Sequence, residues 1–135
     1  FVASHNGYVS RFGLFHEREM ILSRSGSVID GTDRLFRQGG QPARANGRDD
    51  IAIRFHLHPD TELYRDTSDR LVLGAPEQDY WVFSCDEVVP LVEESIFFAG
   101  IAGPRRTRQI VLAFKASEIG VVRWSFTRTQ LSTRT

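Results

Sequence analysis

The stretch that decides the fold is IAIRFHLH at residues 51–58. Its side chains alternate in character, so that every second residue faces the same way. Ile51, Ile53, Phe55 and Leu57 fall on one face, and Ala52, Arg54, His56 and His58 fall on the other. A period of two, carried by β-branched and aromatic residues, predicts a β-strand with one buried face.

The rest of the chain also consists of short apolar runs separated by turn residues. Apolar runs at 13–22 and 27–36 flank a turn at 23–26, which predicts a hairpin. Further short runs bounded by turn residues lie at 62–65, 70–73, 80–84, 88–98, 109–116 and 121–128. No segment of ten or more residues keeps a clean helical stripe. We therefore predict an all-β fold, an antiparallel β-sandwich of two packed sheets with about eight to nine strands.

Composition narrows the class of protein. The 135 residues are 41% hydrophobic and 25% charged, which is typical of one globular domain. Seventeen Lys and Arg balance seventeen Asp and Glu, so neither nucleic acid nor an anionic membrane is predicted as a partner. No apolar run approaches the ~20 residues of a membrane-spanning helix. The chain opens on Phe1 without an initiator methionine or a signal-peptide pattern, so we expect residues 1–135 to be a single β-sandwich domain cut from a longer chain.

Histidines are the main candidates for chemistry, because the sequence has no phosphate-binding loop, GxSxG or HExxH motif. On a strand, His56 and His58 lie on the same face about 7 Å apart, a spacing from which a metal can be chelated. Asp60 or His16 can complete such a site if the fold brings it near. The alternatives are a hydrogen-bonded structural face and a surface that contacts a saccharide or another domain.

Three other features each allow two interpretations. The segment HNGY at 5–8 offers Tyr8 to stack on a sugar ring, or else it begins a strand with a bulge at Gly7. The segment RRTR at 105–108 can clamp an anion, although three arginines after Gly-Pro are typical of a solvated turn. Cys85, the single cysteine, is expected to be a buried or half-buried small hydrophobic residue and not a nucleophile.

The order and spacing of several motifs resemble the C-terminal part of bacterial heparinase II/III-like proteins. These motifs are SHNGY at 4–8, RFGLFHER at 11–18, DGTDRL at 30–35, RFHLHPD at 54–60 and RTRQIVL at 106–112. The resemblance implies a much longer parent protein, with an N-terminal α/α toroid followed by antiparallel β-sheets. It further implies a polysaccharide lyase that cleaves uronic-acid-containing glycans by β-elimination, in the periplasm if the parent is like the characterised lyases.

The same resemblance places the family's catalytic residues upstream of Phe1, so no catalytic residue is expected in this chain and the chain alone is expected to be inactive. A divalent metal is a possible requirement of the parent and not of this domain. The expected partners are an acidic polysaccharide and the upstream domain of the same polypeptide. The candidate glycan-facing or interface residues are His5, Tyr8, His16, Arg54, His56 and His58.

Two hypotheses compete with a lyase domain. One is a free-standing carbohydrate-binding module that stacks sugars on aromatic side chains, the candidates being Tyr8, Tyr64, Tyr80, Trp81 and Trp124. The other is a small metal-dependent β-barrel enzyme built on His56 and His58. An open reading frame that extends far upstream of Phe1 favours the lyase domain over both.

Overall fold

The structure, a computed structural model, describes residues 2–9, 14–37, 40–42, 50–74, 79–98, 100 and 103–129, with backbone alone for 2–9 and 97–98. These residues form ten β-strands: β1 (Val2–Val9), β2 (Leu14–Leu22), β3 (Val28–Arg37), β4 (Asp50–His56), β5 (Glu62–Arg65), β6 (Leu71–Gly74), β7 (Tyr80–Cys85), β8 (Leu91–Phe98), β9 (Pro104–Lys115) and β10 (Val121–Thr129). Across those same ranges, no helix has the length and apolar character needed to cross a membrane.

The strands form two antiparallel sheets. The large sheet has seven strands in the order β1-β2-β3-β10-β7-β6-β5, and the small sheet has three in the order β4-β9-β8. Buried side chains from both sheets meet in one layer, as in a β-sandwich. The predicted all-β, two-sheet antiparallel fold is confirmed. β1 is a strand that the apolar runs did not predict. Its register with β2 shifts between Asn6 and Val9, which agrees with the interpretation of HNGY at 5–8 as a strand that contains a bulge.

The deciding stretch forms β4 with the predicted alternation. Ile53 is buried, with 5% of its surface exposed, and Phe55 and Leu57 pack against the core. Arg54 and His56 are exposed on the other face. The strand ends at His56, so His58 lies just beyond it, before a turn whose Thr61 amide donates to the His58 carbonyl.

The predicted hairpin of β2 and β3 is also confirmed. Nine residue pairs run from Leu14↔Arg37 to Leu22↔Ile29. The turn between them is closed by a hydrogen bond from the Gly26 amide to the Ser23 carbonyl, with Gly26 at a φ of +72°. Such a φ favours glycine over residues that carry a Cβ.

The core lies between the small sheet and the middle of the large sheet. Its fully buried side chains come from both sheets and include Leu71, Phe83, Ile110, Leu112 and Val122. Phe55 from the small sheet makes aromatic contacts with Phe83, Trp124 and Phe126 of the large sheet, at ring-centre distances of 4.8 to 5.7 Å. These tilted and edge-on contacts join the two sheets across the core.

One expectation about the fold is wrong. The arginines at 105–108 are not in a solvated turn, because β9 begins at Pro104 and pairs with β8 through Phe98↔Pro104, Phe97↔Arg105 and Ile96↔Arg106. The turn lies earlier, where the Gly103 amide donates to the Gly100 carbonyl and both glycines have positive φ. An arginine in a strand can lay its aliphatic stem along the sheet while its guanidinium reaches solvent. An arginine-rich stretch therefore does not require a loop.

Candidate functional site

A buried carboxylate organises the inner face of the large sheet. Asp33 on β3 has no exposed surface. It accepts hydrogen bonds from His16 Nε2 and Arg18 Nε, both at 2.7 Å. The indole N–H of Trp124 on β10 donates to its second oxygen, also at 2.7 Å. Three strands therefore converge on one anionic group, which is satisfied by donors on both oxygens.

The local sequence explains how these groups come together. In β2, Leu14, His16 and Arg18 occur at every second position and so share one face. The β2–β3 register places Arg18 directly opposite Asp33. On β10, Trp124 pairs with Gly31, whose missing side chain makes room for the indole, because a Cβ at residue 31 would overlap that ring. The glycine thus permits the approach that lets Trp124 reach Asp33.

The pKa of Asp33 is lowered from its ordinary value of 3.8. Burial alone would raise the pKa, because it disfavours the charged form. The hydrogen bonds from His16, Arg18 and Trp124, together with the positive charge of Arg18, outweigh that effect. Asp33 is therefore an anion at neutral pH. Its role is to hold Arg18 and His16 in place.

A cleft opens from this network toward solvent, between β2 and β3 of the large sheet and β4 of the small sheet. Its volume is about 310 Å³. His16 and Arg18 line it with about a quarter of each side chain exposed. The guanidinium of Arg18 also lies 5.4 to 5.5 Å from the ring centres of Trp124 and Phe55, a geometry that favours a cation over aromatic faces. The cleft combines apolar side chains with one fixed cation, Arg18, and one fixed hydrogen-bonding side chain, His16.

The outer face of the small sheet carries a second polar group of residues. In the β4–β9 register, Arg54 pairs with Val111 and His56 pairs with Gln109. Gln109 is only 8% exposed, and within the described residues its side-chain oxygen accepts no hydrogen bond. The Arg54 side chain makes no hydrogen bond or ion pair with any residue that the structure describes. A buried amide oxygen without a donor is costly. This face presents the side chains of Arg54 and His56 to solvent.

Comparison with known proteins gives the family. Residues 1–125 match the family model described as heparinase II/III-like, C-terminal. The chain belongs to this family.

Two individual proteins resemble this heparinase II/III-like C-terminal domain. The FtsZ-localized protein C of Caulobacter vibrioides is 30% identical over 133 residues, which are 93% of this chain and 23% of that protein. The crystal structure of heparan sulfate lyase HepC from Pedobacter heparinus matches with a TM-score of 0.57 and 12% identity, over 97% of this chain and 22% of that one. The second likeness shows the fold. The chain spans less than a quarter of each relative.

In this heparinase II/III-like domain, the candidate residues divide between two surfaces. His16 lies in the cleft, whereas His56 lies on the outer face of the small sheet and Arg54 borders both. His5 pairs through its backbone with Arg18 on the neighbouring strand, and the side chains of His5 and Tyr8 lie outside the described part of the structure. The candidates His16 and His56 therefore belong to two separate surfaces.

Two of the histidines proposed as metal ligands, His16 and His58, have carboxylate neighbours in the structure. Asp60 accepts a hydrogen bond from Arg105 at 2.9 Å, and this interaction lowers the pKa of Asp60. His58 lies 3.6 Å from the same carboxylate and accepts the Asp60 amide through Nδ1. His16 is hydrogen-bonded to Asp33 on the inner face of the large sheet. Throughout the described ranges, no group of three or more His, Cys, Asp or Glu side chains is close enough to hold a metal.

Two further expectations concern aromatic and sulfur side chains. Trp124 is buried in the core and is not a surface on which a sugar can stack, whereas Tyr64 is exposed and contacts Tyr80 edge-on at 6.4 Å. Cys85 is half-buried as expected. Burial raises the pKa of its thiol, which disfavours the reactive thiolate.

Three residues of these surfaces were missed by sequence analysis: Arg18, Asp33 and Gln109. The sequence does contain a signal for Arg18, because the period-two pattern of β2 puts it on the same face as Leu14 and the candidate His16. Nothing local marks Asp33 or Gln109. Their burial depends on which strands become neighbours.

Proposed function

We propose that residues 1–135 act as the non-catalytic C-terminal β-domain of a longer polypeptide that cleaves uronic-acid-containing glycans by β-elimination. The match of residues 1–125 to the heparinase II/III-like C-terminal family carries this proposal. The fold shared with a heparan sulfate lyase is consistent with it. The short span of this chain relative to both relatives fits one domain of a larger protein.

The chemistry of β-elimination supports a non-catalytic role for this domain. The reaction needs a base for the proton at C5, an acid for the leaving oxygen and a group that neutralises the uronate carboxylate. Among the described side chains, His16 is held by Asp33 on β2 and β3, whereas Tyr64 and Tyr80 lie on β5 and β7. In the strand order, β7 is three positions from β2. The described tyrosines are therefore not placed to share a proton transfer with that histidine.

The outer face of the small sheet is the proposed contact surface for an acidic glycan. Uronic acids present hydroxyl donors next to a carboxylate. Arg54 on β4 is exposed on this face and offers a cation to the carboxylate, whereas the oxygen of Gln109 on the neighbouring strand is buried. His56, directly opposite Gln109, can add a hydrogen bond. This combination of groups suits a uronate better than a neutral sugar.

The lyase proposal is tested with the full-length gene product and with residues 1–135 alone. Elimination creates an unsaturated uronate that absorbs in the ultraviolet. We expect absorbance to rise when the full-length protein is mixed with heparin, heparan sulfate or alginate, and not to rise with residues 1–135. An increase produced by residues 1–135 and abolished by His56→Ala or His58→Ala would contradict the non-catalytic role.

The contact surface is tested by substitutions in the full-length protein. We expect Arg54→Gln to raise KM by about 10-fold or more and to leave kcat within about threefold, because a charge-assisted hydrogen bond contributes about 1.5–3 kcal/mol. His58→Ala should likewise change affinity or stability more than turnover. The control is Arg123→Gln, which removes an exposed arginine from the large sheet and should leave KM unchanged. A hundredfold loss of kcat in a folded His58→Ala protein would place that imidazole in the chemistry.

A second candidate function comes from the Caulobacter relative, whose identity to this chain is 30% against 12% for the lyase. That protein is named as FtsZ-localized, so the second candidate is that the parent of this domain localises with FtsZ. A fluorescent fusion of the full-length protein should then coincide with labelled FtsZ. A uniform distribution would oppose this candidate and would leave the lyase assay unaffected.

A further inference from the structure

One edge of β4 is free of any partner strand among the residues that the structure describes. In the small sheet β4 pairs with β9 alone. The Leu57 amide, just past the end of β4, donates to the Arg108 carbonyl on β9. Because backbone groups alternate in direction along an antiparallel strand, the amides of Ile53 and Phe55 point to β9 as well. The N–H and C=O groups of Ala52 and Arg54 then point away from β9, and no strand of the described residues pairs with them.

This free edge faces the cleft and has a floor beneath it. The cleft runs along residues 50–54, a length of about 13 Å at ~3.3 Å per residue. Its floor is the inner face of β2 and β3, and β1 extends the large sheet one strand further. The large sheet is therefore wider than the small sheet on this side. An additional strand beside β4 would rest on an existing surface.

The side chains on that floor indicate the chemistry of such a strand. Leu14 and Leu35 are buried apolar residues at the cleft. Asp33 is one carboxylate shared by two basic side chains, His16 and Arg18, and both reach the cleft. Arg18 bonds to Asp33 through Nε and Nη2, and the guanidinium has further N–H groups that can donate to a carboxylate. An occupant with apolar side chains and one acidic side chain on its inward face would match the floor.

We propose that an extended segment of the same polypeptide, from outside residues 1–135, pairs with the free edge of β4 and directs an Asp or Glu toward Arg18 and His16. More than three quarters of each relative lies outside the matched region, so a longer chain has ample length to supply the strand. Strand addition satisfies the exposed backbone groups of an edge strand and removes a site of aggregation. The inference rests on the proposed function only in requiring a longer polypeptide, and it does not depend on lyase activity.

Hydrogen exchange in the full-length protein tests the pairing with an internal control. The amides of Ile53 and Phe55 bond to β9 and should be protected in any case. We expect the amides of Ala52 and Arg54 to exchange within about tenfold of those two rates, because a neighbouring strand would bond them. Exchange of Ala52 and Arg54 more than tenfold faster than Ile53 and Phe55 would overturn the proposal. Failure of the lyase assay would leave this measurement unchanged.

Cross-linking identifies the occupant. A photoreactive benzoylphenylalanine at Ala52 in the full-length protein should cross-link, within one polypeptide, to a segment outside residues 1–135 that contains an Asp or Glu. The same probe at Val89, an exposed residue beside the opposite edge strand β8, should not capture that segment. Capture of a second copy, capture of a segment within residues 1–135, protection that appears only after addition of heparin, or no cross-link would each overturn the proposal.

Discussion

Trp124 and Asp33 are joined by a 2.7 Å hydrogen bond although 91 positions separate them in the sequence. The bond ties β10 to β3 on the inner face of the large sheet. It also brings an aromatic ring against Arg18, whose guanidinium bonds to the same carboxylate. One buried anion thereby links the middle of the sheet to the cleft at its side.

Asp33→Asn should destabilise the domain by about 2–4 kcal/mol. Breaking a buried charge pair by removing one partner costs about 3–5 kcal/mol, and the partial exposure of Arg18 and His16 reduces that cost. An asparagine also offers a single acceptor oxygen to three donors. Urea denaturation followed by circular dichroism measures the change. Glu17→Gln, which removes a half-exposed partner of Arg34, is the matched control and should cost less than about 1 kcal/mol.

The Asp33 contribution should disappear in acid. The pKa of Asp33 is lower in the folded state than the ordinary value of 3.8, so its stabilising effect is fully present above that value and is lost as the pH falls through the folded-state pKa. The difference in unfolding free energy between the wild type and Asp33→Asn should therefore be constant from about pH 7 to about pH 5. It should shrink at about pH 3 and below. A difference that grows on acidification would contradict the direction of the pKa shift.

Gly31→Ala should be far more damaging than its small size suggests. A Cβ at residue 31 would overlap the Trp124 ring, so the indole must move and its bond to Asp33 must break. We expect a loss of about 3 kcal/mol or more, the upper part of the range for overpacked cores, with a changed near-ultraviolet circular dichroism signal. At Gly120 an added Cβ would lie 3.6 Å from the Leu35 carbonyl oxygen, an ordinary contact. Gly120→Ala should therefore leave both quantities nearly unchanged.

Phe55→Ala tests the register of β4. Phe55 contacts three aromatic rings of the large sheet, and truncating a packed phenylalanine costs about 3–5 kcal/mol. Val89→Ala removes a side chain that is 71% exposed and should change stability by less than about 0.5 kcal/mol. A chemical-denaturation shift below about 1 kcal/mol for Phe55→Ala would mean that β4 presents its other face to the core.

Local pattern predicted much of the fold but little of the cleft. The alternation at 51–58 and the turn before Val28 are short-range signals, and both β4 and the β2–β3 hairpin formed as expected. At Arg105 the local pattern favoured a turn, but the residue lies in β9, whose position depends on pairing with β8. The Asp33 network depends on the registers of β2, β3 and β10 together. These registers are set by tertiary structure and cannot be predicted from the residues near each position in the sequence.

The central position of β10 has a consequence for biogenesis. This strand, Val121–Thr129, lies between β3 and β7, so the halves of the large sheet that precede it in synthesis cannot join until it has left the ribosome. Every contact that closes the sheet is then long in sequence separation, which is characteristic of slow-folding β topologies. Until then the nascent chain exposes the edges of β3 and β7 that β10 later covers, and these edges are targets for mispairing. A ribosome stalled before the codon for Val121 should therefore hold a chain that proteases cleave and chaperones bind.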